Sequence, residues 1–157
     1  MNRLIAPAIL ASTLLLTGFN VPGVPSSLSS GPALEMAKGM FASDSLVSSL
    51  GGSLNIDPMQ AAGGLGSLTS LAKSKLSPTD FGAFSKMLPG ADKYLQYAQM
   101  SGLVSSPVTS AAGLDANLAK LGMSPEMTRG FLGKMSEYFT SKGGAQGGKL
   151  LTGLLAR

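Results

Sequence analysis

Four times between residues 57 and 125 a capping side chain is followed at once by proline: Asp57-Pro58, Ser77-Pro78, Ser106-Pro107 and Ser124-Pro125. Proline fixes φ near the helical value and lacks an amide that a first helical turn would leave unpaired, so each pair reads as a helix start. Asp57-Pro58-Met59-Gln60 places an acceptor at the N-cap and Gln at N3, the layout of a capping box; Ser77-Pro78-Thr79-Asp80 is related, and Glu126 adds a carboxylate to the turn after Ser124. Gly51, Gly102, Gly122 and Gly143 stand where a left-handed residue would end a helix. The punctuation predicts helices over 34–50, 58–75, 78–87, 91–101, 107–121, 125–142 and 146–156. The fold class is all-α, a compact bundle of about six to seven short helices.

Periodicity agrees with the punctuation. Ala62, Leu65, Leu68, Ala72 and Leu76 recur at three and four residues, as do Met127, Phe131, Met135 and Tyr138. Phe81, Phe84 and Leu88 continue the pattern, and Leu150, Leu151, Leu154 and Leu155 repeat it near the C-terminus, so each helix is expected to turn one apolar face to a core. Gly63, Gly64 and Gly66 lie inside a helix that is otherwise well specified, each costing roughly 0.5–1 kcal/mol relative to Ala. Close approach of another helix, which a missing Cβ allows, offsets such a cost; a phosphate loop would place its glycines before the helix and a Lys-Ser or Lys-Thr pair after them. Gly63, Gly64, Gly66, Gly130 and Gly133 are therefore expected to pack helices together.

Shifting the chain against itself by 67 residues lays 57–75 on 124–142, where the proline, Gly63/Gly130, Leu65/Leu132, Gly66/Gly133, Ser74/Ser141 and Lys75/Lys142 coincide, six of nineteen positions. This predicts a duplicated three-helix unit covering 44–88 and 111–156, bridged by the helix from Ala91 and related by a pseudo-two-fold axis. Chance likeness between two Gly- and Leu-rich helices is the alternative.

The first residues read as an address. Met1-Asn2-Arg3 is a short positive segment, and Leu4 to Leu16 is an apolar run of the length used by secretory signals, shorter than the ~20 residues that span a bilayer. Residues 1–25 are expected to be a signal peptide, with an uncleaved anchor as the alternative. Leu16-Thr17-Gly18 resembles the start of a lipobox, but Phe19 stands where the acylated Cys would be needed. Residues 26–33 continue a stretch rich in Pro, Gly and Ser that reads as a flexible linker, leaving 34–157 as the helical domain. The expected location is the periplasm or the exterior.

The chain contains neither Cys nor His. That removes disulfides, thiolate and imidazole metal ligands, Cys nucleophiles and Ser-His catalysis. Its eight carboxylates are Glu35, Asp44, Asp57, Asp80, Asp92, Asp115, Glu126 and Glu137. Asp57, Asp80 and Glu126 are explained by helix first turns, and Asn55-Ile56-Asp57 is too sparse for a calcium loop. No catalytic, cofactor-binding or metal-binding residue, and no cofactor, is expected. The net charge of +4 comes from 12 basic and 8 acidic residues, with the basic ones after the leader scattered singly, so the pattern argues against nucleic acid as a partner.

Lys93, Tyr94, Gln96 and Tyr97 form the most polar aromatic patch and are the candidate partner surface; a half-buried tyrosine pair covering the core is the competing reading. The run Gln60 to Leu68, then Leu71-Ala72-Lys73, Leu76-Ser77, Asp80-Phe81 and Leu88-Pro89-Gly90-Ala91-Asp92, resembles the bacterial VcgC/VcgE-like family of unknown function. With Leu121 to Pro125 and Gly143 to Gly148 the likeness spans about 44–156. The resemblance implies a small exported α-helical protein and brings no catalytic or binding residue with it. The expected function is that of a non-enzymatic protein-interaction or structural module of the cell envelope, its partner an envelope protein. A membrane-surface-binding protein and a carrier of a small apolar ligand are the alternatives.

Overall fold

The computed structural model describes residues 32–41 and 43–156, and over them the chain is all-α, seven helices with no strand among the described residues. In chain order these are α1 (Pro32–Phe41), α2 (Ser45–Leu54), α3 (Pro58–Lys75), α4 (Pro78–Met87), α5 (Ala91–Met100), α6 (Ala111–Lys120) and α7 (Pro125–Leu155). The leader and most of the linker lie outside the described residues, while Pro32 and Ala33, the last two linker positions, are the first of α1.

Three of the four cap-proline pairs open helices as predicted. Asp57 accepts from the Met59 amide at 2.9 Å while the Gln60 side chain accepts from the Asp57 amide at 2.9 Å, completing the capping box. Ser77 accepts from the Asp80 amide at 3.1 Å and Ser124 from the Met127 amide at 3.2 Å. The fourth pair does not. Ser106 and Pro107 are exposed in a non-helical stretch, and α6 is capped by Ser110, which accepts from the Gly113 amide at 3.1 Å. The reason is tertiary: the Val108 amide donates to Ser70 Oγ on α3 at 3.1 Å and the Val108 side chain is buried, pinning this stretch across α3 before a helix can begin.

The expected helix 34–50 is two. Asp44 breaks it, with extended backbone (φ −83°, ψ 110°) and a carboxylate that accepts from the Leu46 and Val47 amides at 3.0 and 3.3 Å. Gly51 does not end the second of them; α2 continues to Leu54 and Asn55 takes the left-handed position at φ 51°. Gly102 and Gly122 are left-handed as expected, at φ 72° and 80°, whereas the break expected at Gly143 falls on Gly144, at φ 59° and ψ −148°. That one residue divides α7 into a first limb, 125–143, and a second, 145–155.

At the centre lies α3. Every residue from Met59 to Ala72 is buried, so the expected single apolar face is replaced by a helix covered on all sides, as its content of Gly, Ala, Ser and Leu permits. It packs most extensively on α5 and also touches α1, α2, α4, α6 and α7, while α7 in turn packs on α2, α4 and α6. One buried hydroxyl on α3 bonds to the helix's own backbone: Thr69 donates to the Leu65 carbonyl at 2.8 Å. The Gln60 amide reaches out and donates to the Leu121 carbonyl at 2.7 Å, tying the start of α3 to the end of α6.

Candidate functional site

The surface that the sequence singled out lies on α5, whose position is set by a glycine opposite it. A Cβ on Gly66 would overlap the Tyr94 carbonyl oxygen and stand 2.6 Å from the Ala98 methyl, so only a bare Cα lets α5 come this close to α3. Gly63 and Gly64 make room for the α6 and α7 side. A Gly63 Cβ would stand 2.8 Å from a Leu121 methyl and 2.9 Å from a Leu103 methyl, and a Gly64 Cβ 3.0 Å from the Phe131 ring. On α7, Gly130 lies under Leu54, at 2.8 Å from a methyl, whereas Gly133 is exposed with nothing within 4 Å of its would-be Cβ and packs no helix.

With Ala91, Leu95 and Ala98, both tyrosines belong to the buried face of α5. Tyr94 and Tyr97 are 1 % and 7 % exposed and do not contribute to an outer surface; Lys93 and Gln96 do. The Phe41 ring, at the end of α1, stacks on Tyr94 with centroids 5.4 Å apart and meets Tyr97 edge-on at the same distance. The Tyr94 hydroxyl donates to the free oxygen of the Asp44 carboxylate, so the residue that caps α2 also fastens α5.

Burial, with the Asp44 carboxylate accepting its proton and repelling the phenolate, pushes Tyr94 well above the ordinary phenol range. Burial and the charge of Asp57 push Tyr97 up to about 12. Both therefore stay protonated at neutral pH, where neither offers a phenolate to chemistry. The Tyr97 hydroxyl and Ser67 Oγ are buried without a hydrogen-bond partner.

What α5 shows to solvent is Asp92, Lys93, Gln96, Gln99 and Met100. Met100 is 67 % exposed, and with Met40 at 38 % it is one of two large apolar side chains left open among the described residues. Beside this stripe a groove of about 320 Å³ runs between α3, α5 and the stretch before α6, lined by Ser70, Lys73, Ser74, Gln99, Val104 and Ser105 among others. A second groove, of about 390 Å³, lies between α6 and α7 around Met123, Arg129 and Leu132. Both are open to solvent and hold no cluster of titratable groups of the kind that acid–base work requires. Among the described residues no group of three or more acidic side chains could hold a metal ion, and no helix is long and apolar enough to cross a membrane.

Sequence reasoning missed Asp44 and Met100. Asp44 carried a signal, an Asp followed by Ser-Leu-Val at a helix start; so did Met100, which follows Lys93 by seven residues and Gln96 by four and so falls on the polar side of α5.

The model for the protein of unknown function VcgC/VcgE matches residues 20–156. The chain belongs to that family. The match takes in every helix described above and begins upstream of α1, within the stretch read from sequence as leader. No curated protein and no solved structure matches the chain. For this VcgC/VcgE-family chain, fold and geometry are the basis for reading function.

Proposed function

We propose that this VcgC/VcgE-family protein is a non-enzymatic helical module, exported to the cell envelope, that works by contact with another envelope protein through the outer face of α5. The observation that carries the reading is the division of labour along that helix. Its tyrosines are taken up by the core, while Lys93, Gln96, Gln99 and the largely exposed Met100 form one stripe in which a charge and two amides flank an apolar side chain. A protein contact needs that mixture: an apolar anchor that loses water on docking and polar neighbours that fix orientation.

The remaining polar groups support the same reading. Asp44, Asp57, Ser77, Ser110 and Ser124 are engaged in capping helices, and Gln60 in joining α3 to α6. Export rests on the positive start and apolar run of residues 1–16.

The test is site-specific photo-crosslinking in cells, with a photoreactive residue at position 96 or 100 and, as controls, at 149 or 153 on the exposed side of α7, followed by separation of cytoplasm and envelope. One discrete adduct from 96 and 100, absent from 149 and 153 and found in the envelope fraction, is the expected result. Equal labelling from all four positions, or protein confined to the cytoplasm, refutes it.

A further inference from the structure

The two limbs of α7 are joined by one residue. Gly144 is the only residue between Pro125 and Leu155 with non-helical angles, and its φ of 59° and ψ of −148° lie in a region open in practice to glycine alone. Rotation of this one residue into the right-handed basin turns the bent element into a straight helix of 31 residues, about 46 Å long.

Straightening takes the second limb off its seat. Leu151 and Leu154, each 1 % exposed, leave the core. Lys75 Nζ, which donates to the carbonyls of Leu154 at 3.4 Å and Ala156 at 3.1 Å, loses both. Gly147, whose bare Cα sits against the Phe139 carbonyl and beside the Met87 sulfur, moves away from both. The vacated seat is matched by one object described in the structure, the same limb of another copy.

We propose that the second limb of α7 exchanges between two copies of this chain by straightening at Gly144, giving a dimer in which each copy's 145–155 occupies the other's seat. Every contact of the limb is remade across the pair, so the balance is decided at the hinge and by concentration. Closed monomers avoid the loss of freedom on association; straightened hinges relieve the unusual backbone at two residues per dimer. Glycine keeps that relief small and so favours the monomer in dilute solution.

The experiment is Gly144→Ala, followed by size-exclusion chromatography with light scattering over a range of concentrations. Alanine is penalised in the bent form and favoured in the straight one, and the change counts twice per dimer. The dimer dissociation constant is expected to fall about a hundredfold or more, with helix content retained. A folded Gly144→Ala protein that stays monomeric over the same concentrations as the parent overturns the proposal. So does one that pellets with anionic phospholipid vesicles and forms no dimer, since the limb would then have gone to lipid.

A second measurement does not depend on that variant folding. The chain has no cysteine, so Lys75→Cys and Ala156→Cys proteins are mixed at high concentration, held just below the melting temperature, cooled and treated with a short bis-maleimide. An adduct joining the two variants, absent when either is treated alone, is expected; no adduct, or equal adducts in the single-variant controls, overturns exchange.

Discussion

α3 and the first limb of α7 carry the same proline and the same pair of glycines at an offset of 67 residues, yet the second glycine of each pair does different work. Gly63 and Gly130 both lie under leucine methyls, at 2.8 Å from Leu121 and from Leu54. Gly66 faces the carbonyl of Tyr94, which cannot withdraw without moving α5, whereas Gly133 faces open space. A shared spacing therefore specifies where backbone is bare and not whether anything approaches it; the opposing surface decides that.

The largest effect is expected from Gly66→Ala. With a Cβ against backbone and no slack in a helix buried on all sides, a loss of about 3 kcal/mol or more is expected, measured by urea unfolding, and a loss under about 1 kcal/mol would remove the contrast with α7. Next come the tyrosines of the α3–α5 seam. Tyr94→Phe removes the bond to Asp44 and should cost about 1–2 kcal/mol, whereas Tyr97→Phe deletes a buried hydroxyl with no partner and should be neutral or stabilising.

Alkali sharpens the same point. The folded phenol of Tyr97 titrates at about 12, above the 10.0 of an unfolded one, so its contribution is fully present below pH 10 and is lost as pH rises from there toward 12, where the unfolded chain binds fewer protons. Stability measured by denaturant unfolding between pH 10 and 12 should fall with pH, and less steeply in Tyr97→Phe. The smallest effect is on the exposed side: Gly133→Ala should raise stability by roughly 0.5–1 kcal/mol through helix propensity alone. A decrease there would show a contact that the open space around Gly133 does not contain.

Much of the fold could be read in advance because its signals are local. A cap followed by proline acts within four residues, so the starts of α3, α4 and α7 follow from Asp57, Ser77 and Ser124. Ser106-Pro107 has the same local signal and fails, because Ser70, thirty-eight residues away, holds the Val108 amide. Asp44 carries no proline after it to mark a helix start, and Asn55 takes the left-handed position four residues beyond Gly51, the glycine that the sequence offers as a terminator. At the candidate surface, Lys93 and Gln96 lie outside as expected, since charge and amide groups seek water. The inward turn of Tyr94 was legible too, since Ala91, Tyr94, Leu95 and Ala98 recur at three and four residues on one face of α5; how closely that face seats is set across the seam, by Gly66 opposite Tyr94 and Ala98.

The order of synthesis gives the all-round burial of α3 a consequence in time. The ribosome releases this rod of small and oily residues well before α5, α6 and the first limb of α7 exist to cover it. A nascent chain that has reached residue 90 thus carries its future centre as an outside, and closure waits for the last third of translation. Until then, whatever accompanies the emerging polypeptide must keep that rod from sticking to its neighbours.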